Sequence, residues 1–171
     1  PQMADADELF VRLPQPERVA YSALVPNVRG LQRAQACQVR EIAVVLSATE
    51  TMNQRNINMS LDQATEVCIQ TLDGAIKAGM RAKAYVAVAF ECPFEGAVPP
   101  ERVLALTRAM FAAGAAEVVI ADTIGAAAPR AVSSLMGAAA AEFGAARLSA
   151  HLHDTRGFAL ANAWAAIEAG I

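Results

Sequence analysis

Short apolar runs and longer amphipathic stretches alternate along the chain. The runs at 21–25, 41–47, 83–90, 117–121 and 147–152 are rich in Val, Ile, Leu and Ala. Runs of that length and content read as strands buried on both faces. The stretches between them show helical spacing with clear punctuation. Ser60, Leu61, Asp62 and Gln63 form a capping-box signature, followed by apolar Ala64, Val67, Cys68, Leu72, Ala75 and Ile76 and closed by Gly79. Pro100 opens the next helix at its first position; Val103, Leu106, Met110 and Phe111 make its stripe and Gly114 stops it. Pro129 opens another, with Val132, Leu135, Met136, Ala139 and Phe143 on one face. Leu160, Trp164 and Ile167 share a last helical face, read as a packing stripe.

Strands alternating with helices imply parallel pairing through crossovers. Two architectures compete, an open doubly wound sheet and a (β/α)8 barrel. No GxGxxG follows the first strand, which weakens the dinucleotide-binding form. Five strand–helix units in 171 residues average about 34 residues each, the pace of a barrel of about 250 residues. The expected fold is therefore α/β: one incomplete TIM barrel domain over residues 1–171, with about three strands absent. On this count five parallel strands alone would not close into a stable barrel.

Composition narrows the function classes. Hydrophobic residues make up 55% and charged residues 18%, so a core is available. A net charge of -3 offers no general attraction for nucleic acid. Stretches free of Asp, Glu, Lys and Arg fall far short of the ~20 residues of a membrane span. Cys37, Cys68 and Cys92 are odd in number and form no CxxC pair, which fits a reducing compartment. Cys37 and Cys68 read as small core residues. Cys92, beside Glu91 and Glu95, reads as structural, since neighbouring carboxylates discourage a thiolate.

Chemistry in either architecture gathers at the carboxyl ends of strands. The two histidines of the chain, His151 and His153, stand two apart at the end of an apolar run. Residues at that spacing face one side of a strand, so both imidazoles can address one point. They read either as half of a divalent-metal site or as one satisfied and one solvated histidine. Asp122 is the first polar group beyond another strand; it can act as a base or orient a ligand, or serve as a cap or buried anchor. Asp154 reads either as an outer acceptor for a metal-bound imidazole or as a cap. Asn27, just before a helix, reads first as a cap.

Five segments carry a resemblance, in order and at compatible spacings. They are Tyr21-Ser-Ala-Leu-Val-Pro-Asn-Val-Arg-Gly30, Asn56-Ile-Asn58, Cys92-Pro-Phe-Glu-Gly96, Ala121-Asp-Thr-Ile-Gly125 and His151-Leu-His-Asp-Thr155. Together they resemble the hydroxymethylglutaryl-CoA lyases, over essentially the whole chain. The resemblance implies the third to seventh strands of a TIM barrel and a retro-Claisen cleavage of 3-hydroxy-3-methylglutaryl-CoA to acetoacetate and acetyl-CoA. It implies Mg2+ or Mn2+ on His151 and His153, an active-site role for Asp122, and acyl-CoA contacts for Asn27 and Thr123. It also implies an arginine and a further metal ligand before Pro1, and a catalytic cysteine loop after Ile171. Phe94 stands where the family usually has Tyr, and Leu152 and Arg156 differ around the histidine pair. The protein is expected to work as a homo-oligomer in the cytoplasm, or in the mitochondrial matrix of a eukaryote. The rivals are an aldolase or acyl-CoA-condensing synthase on the same barrel, and a non-catalytic barrel fragment.

Overall fold

The computed structural model describes residues 4–14 and 17–171. In chain order it begins with α1 (Ala6–Val11), β1 (Ser22–Leu24), α2 (Val28–Ala36), β2 (Glu41–Ser47), α3 (Glu50–Ile57) and α4 (Leu61–Lys77). Then come β3 (Arg81–Ala87), β4 (Glu91–Cys92), β5 (Gly96–Ala97) and α5 (Pro100–Ala112). The chain continues through β6 (Glu117–Asp122), α6 (Pro129–Phe143), β7 (Leu148–Leu152) and α7 (Ala159–Glu168). Strands β1, β2, β3, β6 and β7 form one parallel sheet in that spatial order, and β4 and β5 pair as a small antiparallel hairpin. Each parallel strand lies beside its predecessor. A doubly wound sheet reverses at a switch point, whereas a barrel advances one way. The order is the barrel's.

Alternation along the strands sets the layers. Ile42, Val44 and Leu46 of β2, Ala82, Ala84 and Val86 of β3, and Val118 and Ile120 of β6 are all sealed from solvent. They share one core with Leu72 and Ala75 of α4, Val103 and Met110 of α5, and Val132 and Met136 of α6. Cys68 belongs to this core as expected, and burial pushes its thiol up to about 12. The opposite face differs. Val45, Lys83, Tyr85 and Ser149 are only partly buried. The expectation of strands buried on both faces holds for β6 beyond Glu117 and for most of β2, where inner-facing Ala43, Ser47, Val119 and Ala121 are buried. It is corrected for β1, β3 and β7, whose inner faces are half wet.

At the amino ends of the strands that inner face is ionic. Lys83 and Arg81 each reach Glu41 at 3.1 Å, Arg81 reaches Glu117 at 3.4 Å, and Ser149 Oγ donates to Glu117 at 2.6 Å. Burial works against the charge on Lys83, but its hydrogen bond to Glu41, with Glu41, Tyr85 and Glu117 around it, more than compensates and raises its pKa.

Local chemistry explains most element ends. Ser60 Oγ accepts from Gln63 N–H at 3.1 Å while Gln63 Oε1 accepts from Ser60 N–H at 2.9 Å, the reciprocal box the spacing predicts. Pro100 and Pro129 open α5 and α6. Two expectations change. The run 83–90 ends as a strand at Ala87, because Val88 turns into the left-handed region at φ 49°. The α7 stripe is not packed: Leu160, Trp164 and Ile167 are 87%, 62% and 58% exposed. Asn162, Ala165 and Ala166 face inward instead, since small side chains let α7 approach α6 closely.

Because the Lys83 pKa is raised in the folded state, its contribution is complete below the ordinary lysine range and fades as the pH climbs through the folded value. In the full-length protein, Lys83→Met should lower Tm by a constant amount up to about pH 10 and by a shrinking amount above it. Thermal melts of both proteins across pH 7–11 check this.

Candidate active site

Strand β7 carries the histidines to its carboxyl end. His151 lies in the strand and His153 just beyond it, both exposed. Their Nε2 atoms are 3.0 Å apart. Two nitrogens each about 2.1 Å from one ion and at a right angle to each other stand about 3 Å apart. The pair therefore fits adjacent ligation of one divalent ion, supplying two neutral nitrogen donors. Among the described residues no cluster of three or more His, Cys, Asp and Glu side chains forms a fuller metal site.

The register of β6 with β7 sorts the neighbours. Ala121 pairs with His151 and Asp122 with Leu152. Paired residues of a parallel ladder share a face, so His151 looks to the inner side and Asp122 to the helix side. Asp122 is 1% exposed. Its Oδ1 accepts from Ala126 N–H at 3.0 Å and its Oδ2 from Ala127 N–H at 3.1 Å. These are the bonds of the buried-anchor alternative: the carboxylate folds loop 122–127 around itself.

The other expected residues also have local partners. Asn27 Oδ1 caps α2 by accepting from Gly30 N–H at 3.0 Å. Asp154 Oδ1 accepts from Ala159 N–H, the first residue of α7, at 2.9 Å. That is the cap alternative for Asp154, and it fixes the turn after His153. Thr123 Oγ1 accepts from Val88 N–H at 2.7 Å.

Three contributors carry no signal in the sequence. Tyr85 meets the His151 ring edge-on at 6.2 Å between centroids. It also lines an open hollow of about 390 Å³ on the inner face, with Ser22, Leu24, Ala43, Val45 and Lys83. Its place on that face follows from strand alternation; its neighbour across the sheet does not. Asn53 is sealed, accepting from Ser47 N–H and donating to the Ser47 and Thr49 carbonyls, which fixes the end of β2. Asn162, also sealed, donates to the Ala127 carbonyl at 2.9 Å and so ties α7 to the Asp122 loop.

A hairpin closes over this end. Thr49 Oγ1 donates to Cys92 Sγ at 3.1 Å, and Cys92 is buried, in keeping with a structural thiol. Glu95 accepts from Thr51 N–H at 2.7 Å, and Arg156 reaches Glu91 at 3.3 Å. Phe94 sits under the Arg55 guanidinium at 4.6 Å.

The one-way parallel sheet is that of a barrel-type protein, and two imidazole donors stand at its carboxyl end. Comparison with known proteins gives the family. The HMGL-like family model matches residues 7–171. Hydroxymethylglutaryl-CoA lyase of Pseudomonas mevalonii is 40% identical over 171 residues, covering 100% of this chain and 57% of the relative. The crystal structure of Bacillus subtilis HMG-CoA lyase superposes with a TM-score of 0.94 at 41% identity, over 98% of this chain and 56% of that one. An Acinetobacter baumannii HMG-CoA lyase, solved in complex with coenzyme A and 3-methylmalate, gives 0.93 at 30% identity over 99% and 55%. The chain belongs to the HMGL-like family, and it spans a little over half the length of these relatives.

Loop packing at the site yields a test. Gly125 has φ +64°, and a Cβ there would stand 2.7–2.8 Å from Thr155 Oγ1, Cβ and N. Gly79, with φ +72°, has nothing within 4 Å of that position. Gly79→Ala should cost only the left-handed backbone penalty of about 1–2 kcal/mol. Gly125→Ala should cost clearly more, because loops 122–127 and 153–157 must separate. Denaturant unfolding of the two variants measures the difference.

Proposed function

We propose that the full-length protein carrying this sequence is a divalent-metal-dependent carbon–carbon lyase acting on 3-hydroxy-3-methylglutaryl-CoA. The products would be acetoacetate and acetyl-CoA. The observation that carries this reading is the pair of imidazole nitrogens 3.0 Å apart at a barrel-strand end, in a chain of this family. When bound, Mg2+ or Mn2+ would draw charge from the substrate's hydroxyl and carboxylate oxygens, easing loss of the hydroxyl proton and rupture of the adjacent carbon–carbon bond.

The chain's own residues have defined parts in this proposal. His151 and His153 hold the ion through Nε2 as neutral imidazoles. The Tyr85 ring limits rotation of His151, and Asp154 limits the turn after His153. Asp122 serves the reaction from beneath the site by keeping loop 122–127 in one conformation. Asn27 caps α2 through Oδ1 and keeps its Nδ2 donors for the acyl-CoA at the end of β1. A cytoplasmic or mitochondrial-matrix setting and a homo-oligomeric state complete the reading. Among the described residues no helix is long and apolar enough to cross a membrane.

The test compares two variants of the full-length enzyme. His153→Ala should lower metal affinity and turnover by more than the 10–100-fold typical of losing a ligand's hydrogen-bond partner. Phe94→Tyr should change turnover less than threefold or so, because Phe94 packs under Arg55 on the outside of the hairpin. Turnover of 3-hydroxy-3-methylglutaryl-CoA titrated with Mg2+ or Mn2+ decides. Metal-independent turnover, or a His153→Ala enzyme that saturates like the parent, would remove the proposal.

A further inference from the structure

Val88 is out of place by the usual rules. It is β-branched and 0% exposed, yet its φ is +49°. Val is among the residues least suited to the left-handed region, and such outliers persist only where surroundings impose them. The hydrogen bonds around it describe a bulge. Ala87 still accepts from Ala48 N–H at 2.8 Å on the β2 side. On the β6 side Val86 pairs with Ile120, but the next ladder bond runs from Ala89 N–H to the Ala121 carbonyl at 3.0 Å. Val88 is the extra residue. Its N–H, left without a backbone carbonyl, donates to Thr123 Oγ1 at 2.7 Å. Bulges bend a strand and re-aim the residues beyond them, and they are over-represented beside active sites.

Beyond Val88 lies the hairpin at the strand end. Three loops meet there: 88–97, 122–127 and 153–157. Thr123 ties the first to the second through Val88. The second packs on the third, where Gly125 leaves no room for a Cβ against Thr155. The third returns to the first through Arg156 and Glu91. That last tie is exposed, with side chains 54% and 39% accessible, so it contributes little on its own. The Thr123–Val88 bond is part-buried, where solvent replaces a lost partner poorly.

We propose that Thr123 is a positioning residue of the active site, acting through the Val88 amide. Its hydroxyl oxygen stands in for the missing ladder carbonyl, holds the bulge in its left-handed turn, and thereby sets the hairpin against the loop after His153. The functional part of this inference rests on the proposed lyase activity; the bulge lock does not.

Backbone amide exchange and steady-state kinetics of the full-length protein test it together. Thr123→Val keeps the shape and removes the acceptor. It should speed exchange of the Val88, Ala89 and Cys92 amides roughly tenfold, the order that loss of one hydrogen bond brings. It should lower kcat by a similar factor with KM nearly unchanged, and Thr123→Ser should restore both. Val88→Gly tolerates the left-handed turn without help, so adding Thr123→Val to it should cost less than in the parent. Unchanged exchange with a raised KM would make Thr123 a substrate contact and overturn the proposal. Faster exchange with full turnover would leave a merely structural bond and overturn it equally. If the protein shows no lyase turnover, the lyase reading fails while the exchange and coupling measurements still judge the lock. If Thr123→Val does not fold, Thr123→Ala, which removes the same acceptor without a branched side chain, carries the exchange and kcat comparison against the parent and Thr123→Ser.

Discussion

The parallel register between β6 and β7 is the constraint on which the site depends. Side chains alternate across a strand, so pairing Ala121 with His151 puts the imidazoles on the inner face and sends Asp122 to the helix side. A slip of β7 by one residue would turn His151 under the helices while Asp122, on a β6 still held by β3, kept its side. The slip is opposed by hydrophobic burial. Leu148 fills the helix-facing core in this register, with Ala150 and Leu152 packed against it, and all three would be turned out of it in the other. Full burial of an aliphatic side chain is worth about 1.5–3 kcal/mol, and the burial of Leu148 with the partial burial of Leu152 favours this register.

Unequal burial of the two faces then divides the labour of the sheet. The helix side is a dry core that holds the strands in place. The inner side keeps its charges at the amino ends, around Glu41, Lys83, Arg81 and Glu117, and its imidazoles at the carboxyl end. Between them Tyr85 is half buried and in edge contact with His151. The strand-end loops are held by side-chain-to-backbone bonds from Asp122, Asn162, Asn53 and Thr123. Each anchor is buried or part-buried, where a hydrogen bond lost is costly to leave unmade. The exposed histidine pair is thus carried on backbone that buried groups fix.

How much of this was legible in the sequence depends on the range of each interaction. Capping at Ser60 and the proline starts at Pro100 and Pro129 depend on residues within four positions, and each is found where the spacing places it. The histidine pair was legible for the same reason, since i and i+2 on a strand need no distant partner. Val88 was not, because nothing in an apolar run marks a valine for a left-handed turn, and the partner of its amide, Thr123, is 35 residues away. Asp122 was legible in place but open in role, and its observed partners, two amides of its own loop, follow from a register that spacing along the chain does not reveal. For α7, helical periodicity allowed two faces. The large apolar side chains of Leu160, Trp164 and Ile167 suggested one, and close approach to α6 through alanines selected the other.

The most direct test of the histidine site is anomalous diffraction from crystals of the full-length protein soaked in Mn2+. The expected result is a single strong manganese peak bonded to Nε2 of both His151 and His153, at about 2.1–2.3 Å from each. A manganese peak elsewhere in the molecule, or imidazoles that stay hydrogen-bonded to one another at saturating metal, would contradict it.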